Sequence, residues 1–145
     1  MAGDGCPLCT VVCAAADEDD EAFRVATLPS GLLRLMKNQF ARGYCVLVAR
    51  THAKEPHDLA PAEQAAFFAD LLRCARAIEA VYTPVKINYL MLGNMVPHVH
   101  AHLVPRFSTD PAPGRALAPG DGEAFLTKEE YGEAVRRLRA ALPLR

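Results

Sequence analysis

The sequence predicts an α+β protein built on an antiparallel sheet of about five strands, with one long central helix and a second helix at the C-terminal end. Two observations support this fold class. Apolar segments of strand and helix type follow one another in the order strand, strand, strand, helix, strand, strand, helix. The connections between successive strands are too short for a crossover helix, which favours antiparallel neighbours. The length of 145 residues predicts one domain, 1–145, with an N-terminal segment 1–22, a core 23–107, and a loop with the C-terminal helix over 108–145.

Three strands are predicted ahead of the long helix. Segments 23–28 and 32–36 flank Pro29-Ser30-Gly31, a turn sequence typical of a hairpin. The third segment, 44–49, is almost continuously apolar, which predicts a central strand covered on both faces. The N-terminal segment is expected to be irregular, and its acidic run 17–21 to be an exposed turn, because adjacent like charges repel.

The two helices are predicted from end signals and apolar spacing. Pro61 suits a first helical turn, and the apolar residues after it recur at three- and four-residue intervals, which predicts about six turns over 61–82. Thr127 and Glu130 have the form of a capping box for the final helix. The apolar line of the long helix is Phe68, Leu71, Leu72, Ala75, Ile78 and Tyr82, and that of the final helix is Tyr131, Val135, Leu138 and Leu142.

Two further strands, 85–92 and 99–104, are predicted between the helices. The connection Gly93-Asn94 is brief, so these strands should pair in antiparallel fashion. Residues 111–122 are rich in Pro and Gly and predict a surface loop. Arg106 could approach a phosphate, although a surface arginine is the commoner role at a strand end.

Charge and composition exclude some partners and favour one location. The chain has 16 basic and 17 acidic side chains and a formal net charge of −1, so it has no broad field for nucleic acid or an anionic membrane. No apolar run approaches the ~20 residues of a membrane helix. The start of the chain lacks the positive region of a signal peptide. We therefore predict a cytoplasmic protein whose five cysteines are thiols or metal ligands.

Three alternating histidines form the most informative motif. His98, His100 and His102 would share one face of a strand, while the apolar residues between them face the other side. Three interpretations are open: hydrogen-bonded strand histidines, a metal-chelating face, or phosphoryl-transfer chemistry. Neutral imidazole is a good nucleophile at pH 7, and His100 has an imidazole on either side to hold phosphate oxygens or manage protons. The pattern favours transfer chemistry at His100.

At these residues the chain resembles the histidine triad family, whose signature is His-φ-His-φ-His-φ-φ, where φ is apolar. Residues 98–104 match it. Gly93-Asn94-Met95-Val96 occupies the place of Gly-Gln-Ser-Val in many members, and Gly43-Tyr44 the place of Gly-His. The resemblance covers about residues 5–107 and is closest to bacterial members likened to diadenosine tetraphosphate hydrolases. It implies the family's fold and, commonly, a homodimer formed through the helix over 61–82 and its neighbouring strand.

The resemblance also implies nucleotidyl transfer. His100 would attack the α-phosphorus of a nucleoside phosphate and give a nucleotidyl-histidine that water then cleaves. The other triad members, His98 and His102, would assist catalysis, and His102 with Asn94 would contact the phosphate. Asn38 is a candidate for the ribose hydroxyls, and Asn88 is a further candidate for substrate binding.

The expected substrate is a dinucleoside polyphosphate or a nucleotide conjugate. A phosphorylase and an adenosine phosphoramidate hydrolase would have nearly the same sequence. Two departures from the family pattern keep open a nucleotide-binding or sensing module with little turnover. Asn94 is one methylene shorter than the usual glutamine, and Tyr44, which would also suit a packed strand aromatic, stands where many members have a fourth histidine.

Cys6 and Cys9 form a CxxC motif, which alone is a weak signal and fits two unconnected thiols equally well. Tetrahedral zinc needs four ligands. Zinc-bearing members of the superfamily pair such a motif with histidines that correspond to His52 and His98, so the resemblance implies a structural zinc that would keep His98 deprotonated and unable to act as a general acid. His57 is an alternative ligand, although a surface role suits it better. The remaining cysteines are predicted to be packing residues: Cys13, Cys45 and Cys74.

Overall fold

The structure, a computed structural model, describes residues 3–142. A short helix precedes three strands, a long helix follows, and two strands and a final helix complete the described chain. Single 3₁₀ turns occur at Pro56–Asp58 and Pro119–Asp121. The elements are α1 (Pro7–Cys13), β1 (Ala22–Leu28), β2 (Gly31–Met36), β3 (Cys45–Ala49), α2 (Pro61–Tyr82), β4 (Lys86–Leu90), β5 (His100–Arg106) and α3 (Lys128–Ala141).

Within the described residues the strands form one five-stranded sheet in the order β1-β2-β3-β5-β4, and every neighbouring pair is antiparallel. The predicted fold class is confirmed, as are the β1–β2 hairpin and the antiparallel β4–β5 pair. Strand β3 lies in the middle of the order, and all five of its residues are buried. A strand covered on both faces has no solvated side, which explains its continuous apolar sequence.

The two faces of the sheet pack against different partners. On one face, alternate residues of β3 and β5, such as Leu47 and Leu103, enter a large core with α2 and α3. On the other face, Val46 and Val48 of β3 belong to a smaller apolar cluster that also receives Val104 of β5. The histidines of β5 lie on this second face, because His100 pairs with Val48 and His102 with Val46.

Helix α2 has the bounds that its sequence predicts, but its buried face is centred on other residues than the predicted line. Phe68 and Leu72, which the predicted apolar line would bury, are 44% and 50% exposed, so the prediction is wrong for these two residues. The buried stripe also has three- and four-residue spacing, but it runs through Phe67, Leu71 and Cys74, to one side of Phe68 and Leu72. Leu72 instead lines a groove with Tyr89 of the edge strand β4. The buried residues of α2 are Phe67, Asp70, Leu71, Cys74, Ala75, Ala77 and Ile78.

The prediction that the N-terminal segment is irregular is wrong over α1. Pro7 occupies the first turn of this helix, and Leu8 and Val12, four residues apart, pack on the second face of the sheet. Seven residues are too few for a periodic pattern to be recognised. The acidic run is also not wholly solvated, because Asp19 is half-buried and pairs with the buried Arg34.

The final helix begins as predicted. The hydroxyl of Thr127 accepts a hydrogen bond from the Glu130 amide at 3.2 Å, and the Glu130 carboxylate accepts one from the Thr127 amide at 2.7 Å. Its buried face includes Tyr131, Val135 and Leu138. None of the helices in the described part of the chain is both long and apolar enough to cross a membrane.

Candidate active site and metal centre

Two of the three alternating histidines project from β5. The ring centroids of His100 and His102 are 5.1 Å apart, and both rings are half-buried. The apolar residues between them, such as Ala101, enter the opposite core, so the predicted alternation is confirmed. His98 lies two residues before β5, and its ring turns towards the N-terminal segment. The strand therefore presents a pair of imidazoles, and the third belongs to a neighbouring cluster.

The main chain sets the tautomer of His100. Its Nδ1 lies 2.6 Å from the carbonyl oxygen of His98. A carbonyl oxygen can only accept, so Nδ1 carries the hydrogen and the neutral ring has its lone pair on Nε2. This arrangement leaves Nε2 as a nucleophile or base without any further proton transfer.

His102 has a different partner. Its Nδ1 lies 2.7 Å from the hydroxyl of Tyr44, whose side chain is 2% exposed. Burial, with a contribution from His100, lowers the pKa of His102 to about 4. Burial also raises the pKa of Tyr44 well above its ordinary value. At neutral pH the two groups therefore form a hydrogen bond between an uncharged imidazole and an uncharged phenol.

Four potential metal ligands converge beside this pair of histidines. Cys6 and Cys9 come from α1 and its N-cap, His52 follows β3, and His98 precedes β5. Their ligand atoms all lie within 4.8 Å of one another. Burial raises the pKa of the Cys9 thiol and lowers that of His98, so a cation is needed to hold the thiolate, while His98 is neutral as a ligand must be.

The distances fit tetrahedral zinc. The Nδ1 atoms of His52 and His98 are 3.3 Å apart, and the Sγ–Nδ1 distances are 3.3 Å for Cys9–His52, 3.4 Å for Cys9–His98 and 3.5 Å for Cys6–His98. Zn–N and Zn–S bonds of ordinary length at a tetrahedral angle place two nitrogens about 3.4 Å apart and a sulfur and a nitrogen about 3.6 Å apart. The four predicted ligands therefore form a Cys2His2 site of the size that zinc requires.

Outer contacts hold the ligands in this arrangement. The second ring nitrogen of His98, Nε2, donates to the carbonyl oxygen of Ala49 at 2.8 Å, because a carbonyl cannot donate. The amide of Gly3 points at the sulfur of Cys9 at 3.4 Å. Both ring nitrogens of His98 are thus committed, and its contribution to the histidine pair is its backbone carbonyl, which binds His100. The predicted catalytic role of His98 stays a prediction, and the contact that the structure shows between His98 and the histidine pair is this carbonyl.

The loop before the triad presents Asn94 at the surface. Asn94 is exposed and follows Gly93, which has φ +65°, a left-handed conformation that side chains other than glycine rarely adopt. The residue is close to the triad in sequence, and its carboxamide is open to solvent. Its predicted role as a phosphate contact stays a prediction.

The other two predicted substrate contacts hold parts of the protein together. The amide nitrogen of Asn38 donates to the Gly122 carbonyl at 3.3 Å, and its oxygen accepts from the Ala124 amide at 3.1 Å. The side-chain oxygen of Asn88 accepts from Arg106 at 2.8 Å. Both carboxamides therefore make contacts within the protein, and their predicted substrate contacts stay predictions.

Arg106 is buried, so its prediction as a surface arginine is wrong. Its guanidinium donates to Asn88, to the carboxylate of Asp110 at 2.6 Å and to the carbonyls of Ala112 and Arg115 at 2.7 and 2.6 Å. The Pro- and Gly-rich loop is thereby tied to the end of β5. A guanidinium needs many acceptors, and a loop rich in proline has free carbonyl groups to supply them.

Two structural arginines were not recognised from the sequence. Arg24 and Arg34 are direct partners across β1 and β2, on the face that α1 covers. Arg24 donates to the carbonyls of Val11 and Ala14 at the end of α1, and Arg34 pairs with Asp19. Two arginines opposite each other in an apolar hairpin repel unless acceptors surround them, and that juxtaposition was the available signal.

Of His57 and the three cysteines outside the CxxC motif, all but one have the surroundings that the sequence predicts. His57 is on the exposed 3₁₀ turn, apart from the metal cluster, which supports its surface role. Cys45 and Cys74 are buried in the large core as predicted. Cys13 is exposed at the end of α1, so its prediction as a packing residue is wrong.

The fold and the site together define a class of protein. It is a small antiparallel α+β domain with a histidine pair beside a Cys2His2 cluster. The family model of the HIT domain, the histidine triad domain, matches residues 18–109. The chain therefore belongs to the histidine triad family.

Solved structures agree with this assignment. A histidine triad protein from Bradyrhizobium japonicum is similar with a TM-score of 0.78 at 25% identity, over 85% of this chain and 92% of that one. A zinc-bound histidine triad family protein from Mycobacterium smegmatis is similar with a TM-score of 0.68 at 27% identity, over 96% and 94% of the two chains. A histidine triad protein from Sinorhizobium meliloti shares the fold with a TM-score of 0.80 at 23% identity, over 92% and 99%. No curated protein matches the chain.

Proposed function

We propose that this protein is a nucleotide hydrolase or nucleotidyl transferase that acts through a nucleotidyl intermediate on His100. The observation on which the proposal depends is the 2.6 Å contact between His100 Nδ1 and the His98 carbonyl. That contact leaves the Nε2 lone pair free while the ring is neutral. A nucleophile already in its reactive form is what attack on phosphorus requires.

The proposed reaction has two displacement steps. In the first, Nε2 of His100 attacks the α-phosphorus, a P–N bond forms, and the bond to the leaving group breaks. A polyphosphate leaves as an anion with the bonding electron pair. The ring becomes positively charged, and the His98 carbonyl stabilises that charge through Nδ1–H. In the second step water attacks the same phosphorus, the P–N bond breaks, and a nucleoside monophosphate is released with the water proton passing to solvent.

His102 and Asn94 are proposed as donors to the phosphate oxygens. His102 is uncharged and 5.1 Å from His100 between ring centroids, so its ring lies beside the phosphorus that His100 would attack. Asn94 is exposed on the loop that leads into the triad. Positioned donors of this kind stabilise the charge that phosphoryl transfer places on the equatorial oxygens.

The proposed substrate is a dinucleoside polyphosphate such as diadenosine tetraphosphate, or another nucleotide conjugate. A phosphorylase or an adenosine phosphoramidate hydrolase would use the same nucleophile and differ in acceptor or leaving group. A nucleotide-binding module with little turnover is the second candidate. It is favoured by Asn94, whose side chain is short and exposed.

Zinc in the Cys2His2 cluster is proposed to have a structural role. The ligands would be Cys6, Cys9, His52 and His98, and a bound zinc supplies a fixed attachment between α1 and the segment that precedes β5. A saturated four-residue ligand set has no open position for substrate, which separates this site from catalytic zinc sites.

A homodimer is proposed through α2 and β4. Phe68 and Leu72 of α2 are exposed, and Leu72 lines a groove with Tyr89 of β4 and with Val85, which is 70% exposed. Strand β4 is at the edge of the sheet among the described residues, with main-chain groups free to meet a second copy. The cytoplasmic location stays a prediction.

A substrate panel with product analysis tests the proposed function. Diadenosine tetraphosphate and adenosine phosphoramidate are incubated with the wild type, His100→Ala and His100→Asn, and with His57→Ala as an exposed-histidine control. Both His100 variants should lose at least about a thousandfold in rate, by analogy with loss of a nucleophile elsewhere. Products of AMP and ATP indicate hydrolysis, whereas ADP and ATP formed with added phosphate indicate phosphorolysis. Turnover by both His100 variants at the wild-type rate would refute the assignment of the nucleophile.

A further inference from the structure

Tyr44 is fixed in place directly behind His102. Its ring stacks on that of His102 at an interplanar angle of 16°, with ring centroids 5.9 Å apart, and meets Phe40 edge-on at 4.9 Å. The preceding residue, Gly43, has φ +88°, and a Cβ added there would come within 2.6 Å of the Tyr82 ring. The backbone conformation and the ring packing therefore hold the hydroxyl of Tyr44 at its position 2.7 Å from His102 Nδ1.

Within residues 3–142 this nitrogen is the hydrogen-bond partner found for the Tyr44 hydroxyl. If the phenol accepted from Nδ1–H, its own hydrogen would be left unpaired among apolar side chains, at a cost comparable to a lost hydrogen bond. If the phenol donates, that hydrogen is satisfied, and the ring hydrogen of His102 must be on Nε2. The second arrangement satisfies more of the buried polar groups.

We propose that Tyr44 is a positioning residue that holds His102 as the Nε2–H tautomer and so makes it a permanent hydrogen-bond donor to the substrate phosphate. This inference rests on the proposed function and assigns a task to a residue that departs from the family pattern. Two neighbouring histidines then have opposite tautomers. The His98 carbonyl gives His100 a free Nε2 lone pair, and the Tyr44 hydroxyl gives His102 an Nε2–H.

The opposite tautomers suit the two tasks. The nucleophile needs a lone pair that points at phosphorus, whereas its neighbour must not present a second lone pair to negatively charged oxygens. If Tyr44 did not donate, neutral His102 would be free to place its hydrogen on Nδ1 and would then repel the phosphate. Loss of a hydrogen bond to a charged group corresponds to a decrease of about 10- to 100-fold in binding or rate.

Nitrogen NMR of the histidine rings tests the tautomer directly. Long-range proton–nitrogen spectra of ¹⁵N-labelled protein distinguish Nδ1–H from Nε2–H in each neutral ring. We expect Nε2–H for His102 in the wild type and in Tyr82→Phe, which removes the hydroxyl of another tyrosine. In Tyr44→Phe, which keeps the ring, we expect a mixture of the two tautomers. Nδ1–H in the wild type, or an unchanged Nε2–H in Tyr44→Phe, would overturn the inference.

The functional consequence is measured on the same variants. Tyr44→Phe should lower kcat about 10- to 100-fold with a smaller change in KM, and Tyr82→Phe should leave both close to wild type. If the wild type does not turn over the panel, the proposed function fails, and AMP affinity replaces the rate: Tyr44→Phe should then bind AMP about 10- to 100-fold more weakly. Unchanged kcat in an active protein, or unchanged AMP affinity in an inactive one, would refute the role of Tyr44 even with the expected tautomer.

Discussion

Replacement of Cys9 by serine should remove the metal and destabilise the protein measurably. Cys9 is buried, and its sulfur contacts His52 and His98 at 3.3 and 3.4 Å and the Gly3 amide at 3.4 Å. Serine would place a poorer and shorter-reaching ligand at the centre of this set. When free zinc exceeds its dissociation constant about 100-fold, binding to the folded state alone stabilises it by about 2.7 kcal/mol. For a chain of this size that corresponds to about 5–11 °C in the melting temperature.

The assay is metal analysis combined with thermal unfolding, with and without a chelator. Wild-type protein should hold one zinc per chain and lose about 5–11 °C when a strong chelator is added, whereas Cys9→Ser should hold no zinc and should not respond to the chelator. Cys13→Ser is the matched control, because Cys13 is exposed on the same helix. A zinc-free wild type, or a Cys9→Ser variant with full metal content and an unchanged melting temperature, would refute the assignment of the ligands.

Three other substitutions or titrations test separate parts of the structure. Gly3→Ala would place a Cβ 2.7 Å from the His52 ring, so zinc affinity should fall about tenfold in chelator competition; unchanged affinity would contradict this packing. Asp70→Asn should lower the free energy of unfolding at pH 7 by about 1–3 kcal/mol, measured by urea denaturation. The hydrogen bonds of Asp70 lower the pKa of its carboxyl group below 3.8. Their contribution to wild-type stability is therefore complete above about pH 5 and is lost as the pH falls through the folded-state pKa. The variant should lack this pH-dependent contribution. His102 should titrate near pH 4 by NMR, and a value near 6.5 would show that its ring is solvated.

Most of the fold could be predicted because its local signals agree with its tertiary packing. Helix α2 and the capping box of α3 occur where Pro61 and Thr127 indicate them. The central position of β3 follows from a run with no polar residue. The predictions that were wrong concern residues whose surroundings are set by partners distant in sequence. Neither the burial of Arg106 nor the exposure of Phe68 can be recognised from its neighbours along the chain, since each depends on which surface the fold brings against it.

The residue types of the site could be predicted from the sequence, but the contacts that each side chain makes could not. The spacing of the triad and the CxxC motif pointed to two kinds of chemistry that share His98. The sequence did not reveal that both ring nitrogens of His98 are occupied, nor that the Tyr44 hydroxyl meets His102. These facts depend on ring orientation, which is set by contacts with Ala49 and the N-terminal helix rather than by strand periodicity.

The segment that the family model recognises is smaller than the unit that forms the metal cluster. Cys6 and Cys9 lie before residue 18, where the matched region begins, so an excised fragment of residues 18–109 would retain two of the four ligands. Such a fragment would also uncover Val46 and Val48, on which α1 and its neighbours pack. Boundaries for expression, or for transplanting this site to another scaffold, should therefore include the helix ahead of the recognised region.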